Sequence, residues 1–201
     1  MNLRAIYFDL ETTGRDVERN RIVEIAAYDP LKDASFQQLV NPGGPIPPDA
    51  TQIHGITDAM VQGAPSLGEA ARQFIEFCSG EVMLVAHNGL LFDLPFLQAE
   101  FGRHKVLMPE NWVFVDSLQW ARKYRPDLPR HALQYLRQVF GIPENTAHRA
   151  LEDAMTLYRV FSLMVDDLSC EEILARLQGG ERPGKKSAEQ RQKETRVLEL
   201  F

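Results

Sequence analysis

The run Val82-Met83-Leu84-Val85-Ala86 is apolar at five consecutive positions, with no polar residue alternating through it. A strand of that composition is covered on both faces, so the chain has to supply a layer on either side of it. Candidate layers lie close by. Ser66-Leu67-Gly68-Glu69 has capping-box spacing, and Leu67, Ala70, Ala71, Phe74, Ile75 and Cys78 then recur at helical intervals up to Gly80. Positions 94–101 read as a helix, and Val113-Phe114-Val115 as another short strand ending in Asp116, which is placed to cap a helix over 117–124. Positions 132–140 give a further amphipathic helix closed by Gly141. The longest helical pattern covers 148–165, with Ala150, Asp153, Leu157, Val160, Phe161 and Met164 close to one face.

Upstream, an opening strand that includes Ala5 to Phe8 is followed by strands over 22–28 and 35–40, the last two separated by the turn-rich Asp29-Pro30-Leu31-Lys32-Asp33. These three predict an antiparallel meander. Pro42-Gly43-Gly44-Pro45-Ile46-Pro47-Pro48 excludes regular helix or central strand and leads as an exposed loop to Asp49 and a short helical turn before Ile53-His54-Gly55-Ile56-Thr57. Early strands followed by alternating strands and helices imply an α/β sandwich with a central mixed sheet.

At 201 residues, 44% of them hydrophobic and 25% charged, the chain suits one ordinary domain with a modest appendage. We divide it into a domain over 1–178 and a flexible polar tail over 179–201, where Gly179-Gly180 and Pro183-Gly184-Lys185-Lys186 begin a stretch poor in apolar residues. No apolar run is long enough to span a membrane, and Met1-Asn2-Leu3-Arg4 enters a strand directly, so the expectation is a cytoplasmic protein without a membrane partner. Cys78 and Cys170 have no metal-ligand spacing and read as reduced structural residues. A net charge of −6 argues against holding nucleic acid by bulk electrostatics, although bound metals neutralise an acidic site locally.

The opening strand ends in Asp9 and Glu11, which share one face about 6 to 7 Å apart. Held beside a buried strand they repel one another and lose hydration; a divalent cation between them removes both penalties. The alternative is a strand running out into solvent with two ordinary surface acids. Asp153 lies on a helix stripe that otherwise faces the core, where an acid should be paired or metal-bound. Asp93 follows the central strand. Carboxylates alone suit hard Mg²⁺ or Mn²⁺ better than zinc, and a pair of such ions about 3.5 to 4 Å apart stabilises both attacking and leaving oxygens in phosphoryl displacement. His148, five positions before Asp153, falls at or before the helix start and suits a proton-transfer group.

Four segments in order, Asp9-x-Glu11-Thr12-Thr13-Gly14, Ile53-His54-Gly55-Ile56-Thr57, His87-Asn88-x4-Asp93 and His148-x-Ala150-x2-Asp153, resemble the motif set of the DnaQ-like DEDDh 3′→5′ exonucleases over roughly residues 4 to 166. The resemblance implies an RNase H-like fold, two Mg²⁺ or Mn²⁺ ions, and release of nucleoside 5′-monophosphates from a single-stranded or frayed 3′ end. It implies Asp9, Glu11, Asp93 and Asp153 as metal ligands and His148 as general base. It also implies Glu11, Thr12, Thr13, Asp49 and His54 as contacts to the terminal nucleotide, with Ile53 packing on its base. His87 and Asn88 are assigned to holding a strand end. Leu90-Leu91-Phe92 is bulkier than the small residues often found there, and either narrows the groove floor or improves core packing.

The final residues Val197, Leu198, Leu200 and Phe201 are similar to the peptide that tethers polymerases and repair proteins to the sliding clamp, without its leading Gln. The tail and the likeness of the body to proofreading subunits favour DNA, in replication proofreading or repair, over the RNA-trimming activity that shares these motifs. A binding module on a nuclease fold is the reading of another class.

Overall fold

The structure, a computed structural model, describes residues 3–143, 149–166 and 168–179. His148 and residues 180–201, with the clamp-like Val197, Leu198, Leu200 and Phe201, lie outside the described residues.

Five strands, β1 (Arg4–Thr12), β2 (Ile22–Asp29), β3 (Ala34–Leu39), β4 (Val82–Ala86) and β5 (Trp112–Asp116), form one mixed sheet in the order β3-β2-β1-β4-β5. β1–β2 and β2–β3 are antiparallel, so the meander forms as expected, while β1–β4 and β4–β5 are parallel. The helices are α1 (Pro48–His54), α2 (Asp58–Val61), α3 (Leu67–Phe77), α4 (Asp93–Arg103), α5 (Ser117–Tyr124), α6 (Leu133–Val139), α7 (Ala150–Val165) and α8 (Cys170–Gly179). The periodicity places most of these; α8 goes beyond it, and its Ile173 is buried. Both cysteines are free, and Cys78 is buried. Among the described residues, no helix is long and apolar enough to cross a membrane.

Every residue of β4 is at most 1% exposed, as its unbroken apolar run requires. The period of two in the neighbouring β1 divides the core. Ile6, Phe8 and Leu10 pack with Leu67, Ala70, Ala71 and Phe74 of α3 and Phe96, Leu97 and Phe101 of α4. Tyr7 points to the other face and joins Trp120 of α5, Leu136 of α6 and Leu157, Val160 and Phe161 of α7. Asp9 and Glu11 have the parity of Tyr7 and so belong to the face that α7 covers.

The parallel strands end on one edge of the sheet, and two turns there carry the side chains of interest. Gly89 is required in the first: a Cβ on it would lie 2.5 Å from that of Ala86. Asp116, at the end of β5, caps α5 by accepting from Leu118 N at 2.9 Å and Gln119 N at 3.4 Å. It also accepts from Asn88 N at 3.0 Å and Leu90 N at 3.3 Å, tying the segment between β4 and α4 to β5. The expected cap is therefore also a long-range staple. Asp116→Ala orphans these N–H groups and should destabilise the protein by about 2 kcal/mol or more, read as a lower urea midpoint. An unchanged midpoint would show that the staple adds nothing to stability.

Candidate active site

α7 runs back along β1. Near the α7 C-terminus Phe161 packs on Tyr7, with ring centroids 6.2 Å apart. Asp153 precedes Phe161 by eight residues, or about 12 Å of helix, and so comes level with the far end of β1. Ligand oxygens of Asp9, Glu11 and Asp153 accordingly lie within 4.8 Å of one another. Glu11 and Asp153 are only 9% and 8% exposed, which excludes a strand running out into solvent.

The start of α7 is held by a residue that sequence reasoning missed. Arg149, the N-cap, makes no capping bond with its side chain. Instead Glu24 of β2, fully buried, accepts from Ala150 N at 3.2 Å and pairs with Arg149 Nη2 at 3.0 Å. Gln37 Nε2 donates to the same carboxylate at 2.8 Å. Glu24 is also the cross-strand register partner of Glu11. The available signal was an acid inside the apolar run Ile22-Val23-Glu24-Ile25-Ala26-Ala27.

Asp93 begins α4, 2% exposed, and its Oδ1 is buried without a hydrogen-bond partner among the described residues. Burial pushes its carboxyl up to about 7; its own N–H pulls the other way, the charge of Asp116 adds to the rise, and the N–H of Leu10 opposes it. Glu11 is raised to about 8 by burial, then by Asp153, Glu24 and Asp93, against the pull of Arg149. Asp9 is raised well above the carboxylate range by burial, then by Asp93, Glu11, Asp153 and Glu24. Asp9 and Glu11 thus both feel the charges of Asp93 and Asp153, the largest being Asp93 for Asp9 and Asp153 for Glu11.

Such a cluster is costly without a counter-charge. The donors of Asp9, Glu11 and Asp153 are all carboxylate oxygens, Asp93 adds an orphaned buried oxygen outside that 4.8 Å group, and this chemistry fits hard divalent cations rather than zinc or copper.

The remaining expected contacts divide. Thr12 Oγ1 donates to Gly14 O at 2.6 Å and Thr13 Oγ1 accepts from Arg21 N at 2.9 Å, so both hydroxyls brace the turn after β1. Asp49 and Ile53 are exposed one helical turn apart on α1, Ile53 at 54%. His54 is buried, its Nδ1 accepting from Ile56 N at 3.0 Å, and Gly55 closes α1 at φ 74°. The structure thus separates His54 from the exposed Asp49–Ile53 face. His87 Nδ1 meets Ser117 Oγ at 2.8 Å, the strand-end role expected of it. Leu90 and Leu91 are 37% and 73% exposed, so core packing does not account for them.

Known proteins resemble this chain in sequence and in fold. The RNase_T exonuclease family profile matches residues 6–161. Exonuclease DPD1, chloroplastic/mitochondrial, of Arabidopsis thaliana is 38% identical over 182 residues, covering 83% of this chain and 57% of its own length. DNA polymerase III PolC-type of Streptococcus thermophilus is 36% identical over 166 residues, 81% of this chain but 11% of that protein. The chain therefore spans only part of these relatives. Among solved structures, the zinc-bound E. coli ExoI–ssDNA complex superposes with a TM-score of 0.67 at 20% identity, covering 89% of this chain and 42% of the other. E. coli exonuclease I with a dT13 oligonucleotide gives 0.71 at 18% identity, covering 87% and 43%. The structural likenesses show the RNase H-like fold, and the profile match over residues 6–161 shows the family: the chain belongs to the RNase_T exonuclease family.

Proposed function

We propose that this protein is a metal-dependent 3′→5′ exonuclease that releases nucleoside 5′-monophosphates from single-stranded or frayed 3′ ends, with DNA preferred over RNA. The observation that carries the reading is the carboxylate cluster of Asp9, Glu11 and Asp153, whose ligand oxygens lie within 4.8 Å of one another, with the charge of Asp93 also felt at Asp9. Two Mg²⁺ or Mn²⁺ ions, when bound, would supply charge stabilisation for an attacking and a leaving oxygen.

Asp9, whose ligand oxygen lies with those of Glu11 and Asp153 and whose carboxyl also feels Asp93, would hold both ions. Glu11 and Asp153 would hold one of them, Asp93 the other, and Glu11 would also meet the terminal nucleotide. His148, next to Arg149 in the chain, takes the role of general base that accepts the proton of the attacking water. Exposed Ile53 offers an apolar surface to the terminal base and Asp49 a polar contact beside it. The DNA preference is supported by the names of the relatives, a DNA polymerase and an ssDNA-bound exonuclease among them.

A matched panel of single-stranded, recessed, blunt and mismatched DNA and RNA, labelled at the 5′ end and incubated with Mg²⁺ or Mn²⁺, tests this. A ladder shortening stepwise from the 3′ end, faster on DNA and silenced by EDTA, is the expected result. No mononucleotide from any substrate overturns the reading, and equal or faster trimming of RNA overturns the preference.

A further inference from the structure

Asp153 carries more than its place in the carboxylate cluster. Gln134 of α6 donates from Nε2 to Asp153 Oδ1 at 2.8 Å, across 19 residues of chain. Both ends of the Gln134 amide are engaged, because Arg137 Nε donates to Gln134 Oε1 at 2.9 Å. Arg137 is itself fixed: it is 6% exposed and its Nη1 donates to Ile142 O at 3.0 Å.

The orientation of this amide is determined by its neighbours. Turned over, it would set its oxygen against the Asp153 carboxylate and its NH₂ against the guanidinium, replacing two attractive contacts by two repulsive ones. A guanidinium cannot lose its proton to accommodate that exchange. The donor end of Gln134 is therefore held toward Asp153 by a buried cation.

We infer that Gln134 is a positioning residue for Asp153, and through it for the divalent cation, with Arg137 fixing its orientation. The inference rests on the proposed exonuclease reading. The donated bond selects one setting of the Asp153 side chain, a ligand oxygen of which lies within 4.8 Å of those of Asp9 and Glu11. It supplies this constraint without adding charge to a crowded acidic site. Partners of metal-ligating carboxylates that lie one bond further out typically contribute 10- to 100-fold in metal affinity or activity. Nothing in the sequence pattern marks Gln134, since its three-residue offset from Arg137 is ordinary for a helix.

The test uses Gln134→Ala and the near-isosteric Gln134→Leu in the full chain. Gln134 is partly exposed, so neither substitution opens the core. Mn²⁺ binding is titrated by calorimetry without substrate, and kcat and KM are measured on a single-stranded oligonucleotide. Both variants should bind Mn²⁺ about 10-fold more weakly or worse, and lose kcat with KM held, while the melting temperature in EDTA moves little. Arg137→Lys, which keeps the charge but loses the fixed fork, should show the same pattern to a smaller degree.

Variants that match the wild type in Mn²⁺ affinity and kcat overturn the inference alone. So do variants with a lower melting temperature and unaltered Mn²⁺ affinity, because Gln134 would then serve packing only. A wild type that neither binds Mn²⁺ nor cuts any substrate overturns the exonuclease reading, and the inference with it.

Discussion

Asp9→Asn should lower the rate of mononucleotide release by about 1,000-fold or more while raising the melting temperature of the metal-free protein. The two effects have one origin. Asp9 shares the cluster with Glu11 and Asp153 and feels the charge of Asp93, so replacing its carboxylate weakens the hold on both proposed cations. Loss of about 4 kcal/mol of transition-state stabilisation, a moderate figure for metal-assisted displacement, is a factor of about 1,000 in rate. Without metal the same carboxylate stands among acids in a buried site. Asparagine has the same shape and no charge, so the folded state is spared the cost of burying that charge or holding its proton, which the unfolded chain does not bear.

A gain of about 1 kcal/mol corresponds to about 3 °C for a domain of this size. Rates on a labelled oligonucleotide with Mn²⁺, beside thermal melts in EDTA at pH 8, give both readouts. A variant that is inactive and also less stable would show that Asp9 belongs to a structural network, against the metal-site interpretation. Sites selected for activity at a cost in stability behave in the expected way.

In the chelated protein, stability contributed by the cluster should decline as pH rises from about 4 to 8, and saturating Mn²⁺ should abolish that decline. Folding raises Glu11 from an ordinary 4.5 to about 8, Asp93 from 3.8 to about 7, and Asp9 well above its usual value. A carboxyl raised on folding binds its proton more tightly in the folded state, so its contribution is complete below the unfolded pKa. It is lost as pH climbs through the folded one. A cation that replaces the protons reverses the preference, since it binds the ionised form.

Metal binding should therefore release protons between pH 6 and 8, and apparent affinity should climb about tenfold per pH unit for each proton displaced. Melts with EDTA and with Mn²⁺ over pH 5 to 8.5 isolate this contribution from carboxylates elsewhere. Calorimetry in two buffers of different ionisation enthalpy counts the protons. Parallel pH profiles with and without Mn²⁺, or binding with no proton release, would sink the account.

Part of this site was legible because its signals are local. The period of two puts Asp9 and Glu11 on one face of β1, and the helical stripe puts Asp153 in line with Leu157 and Phe161. The capping box at Ser66 is present, with Ser66 N donating to Glu69 Oε2 at 2.9 Å. Asp116 was legible as a cap but not as the staple on Asn88 and Leu90, which belong to another strand end. The burial of His54 was equally hidden, because it depends on how α1 settles over Val23 and Ile56. Asp49 and Ile53 face away from that contact; His54 does not.

What the sequence by itself determined is the content of each element and the acids at their ends, since a strand or helix is set by neighbours two to four residues away. Only the tertiary structure decided which of those ends meet. Glu24 holds Ala150 across 126 residues and Gln134 holds Asp153 across 19. Each polar partner is fixed by which faces the sheet order β3-β2-β1-β4-β5 leaves open for α6 and α7 to cover. A buried carboxylate takes whatever donor the packing brings to it, and no local spacing encodes that choice.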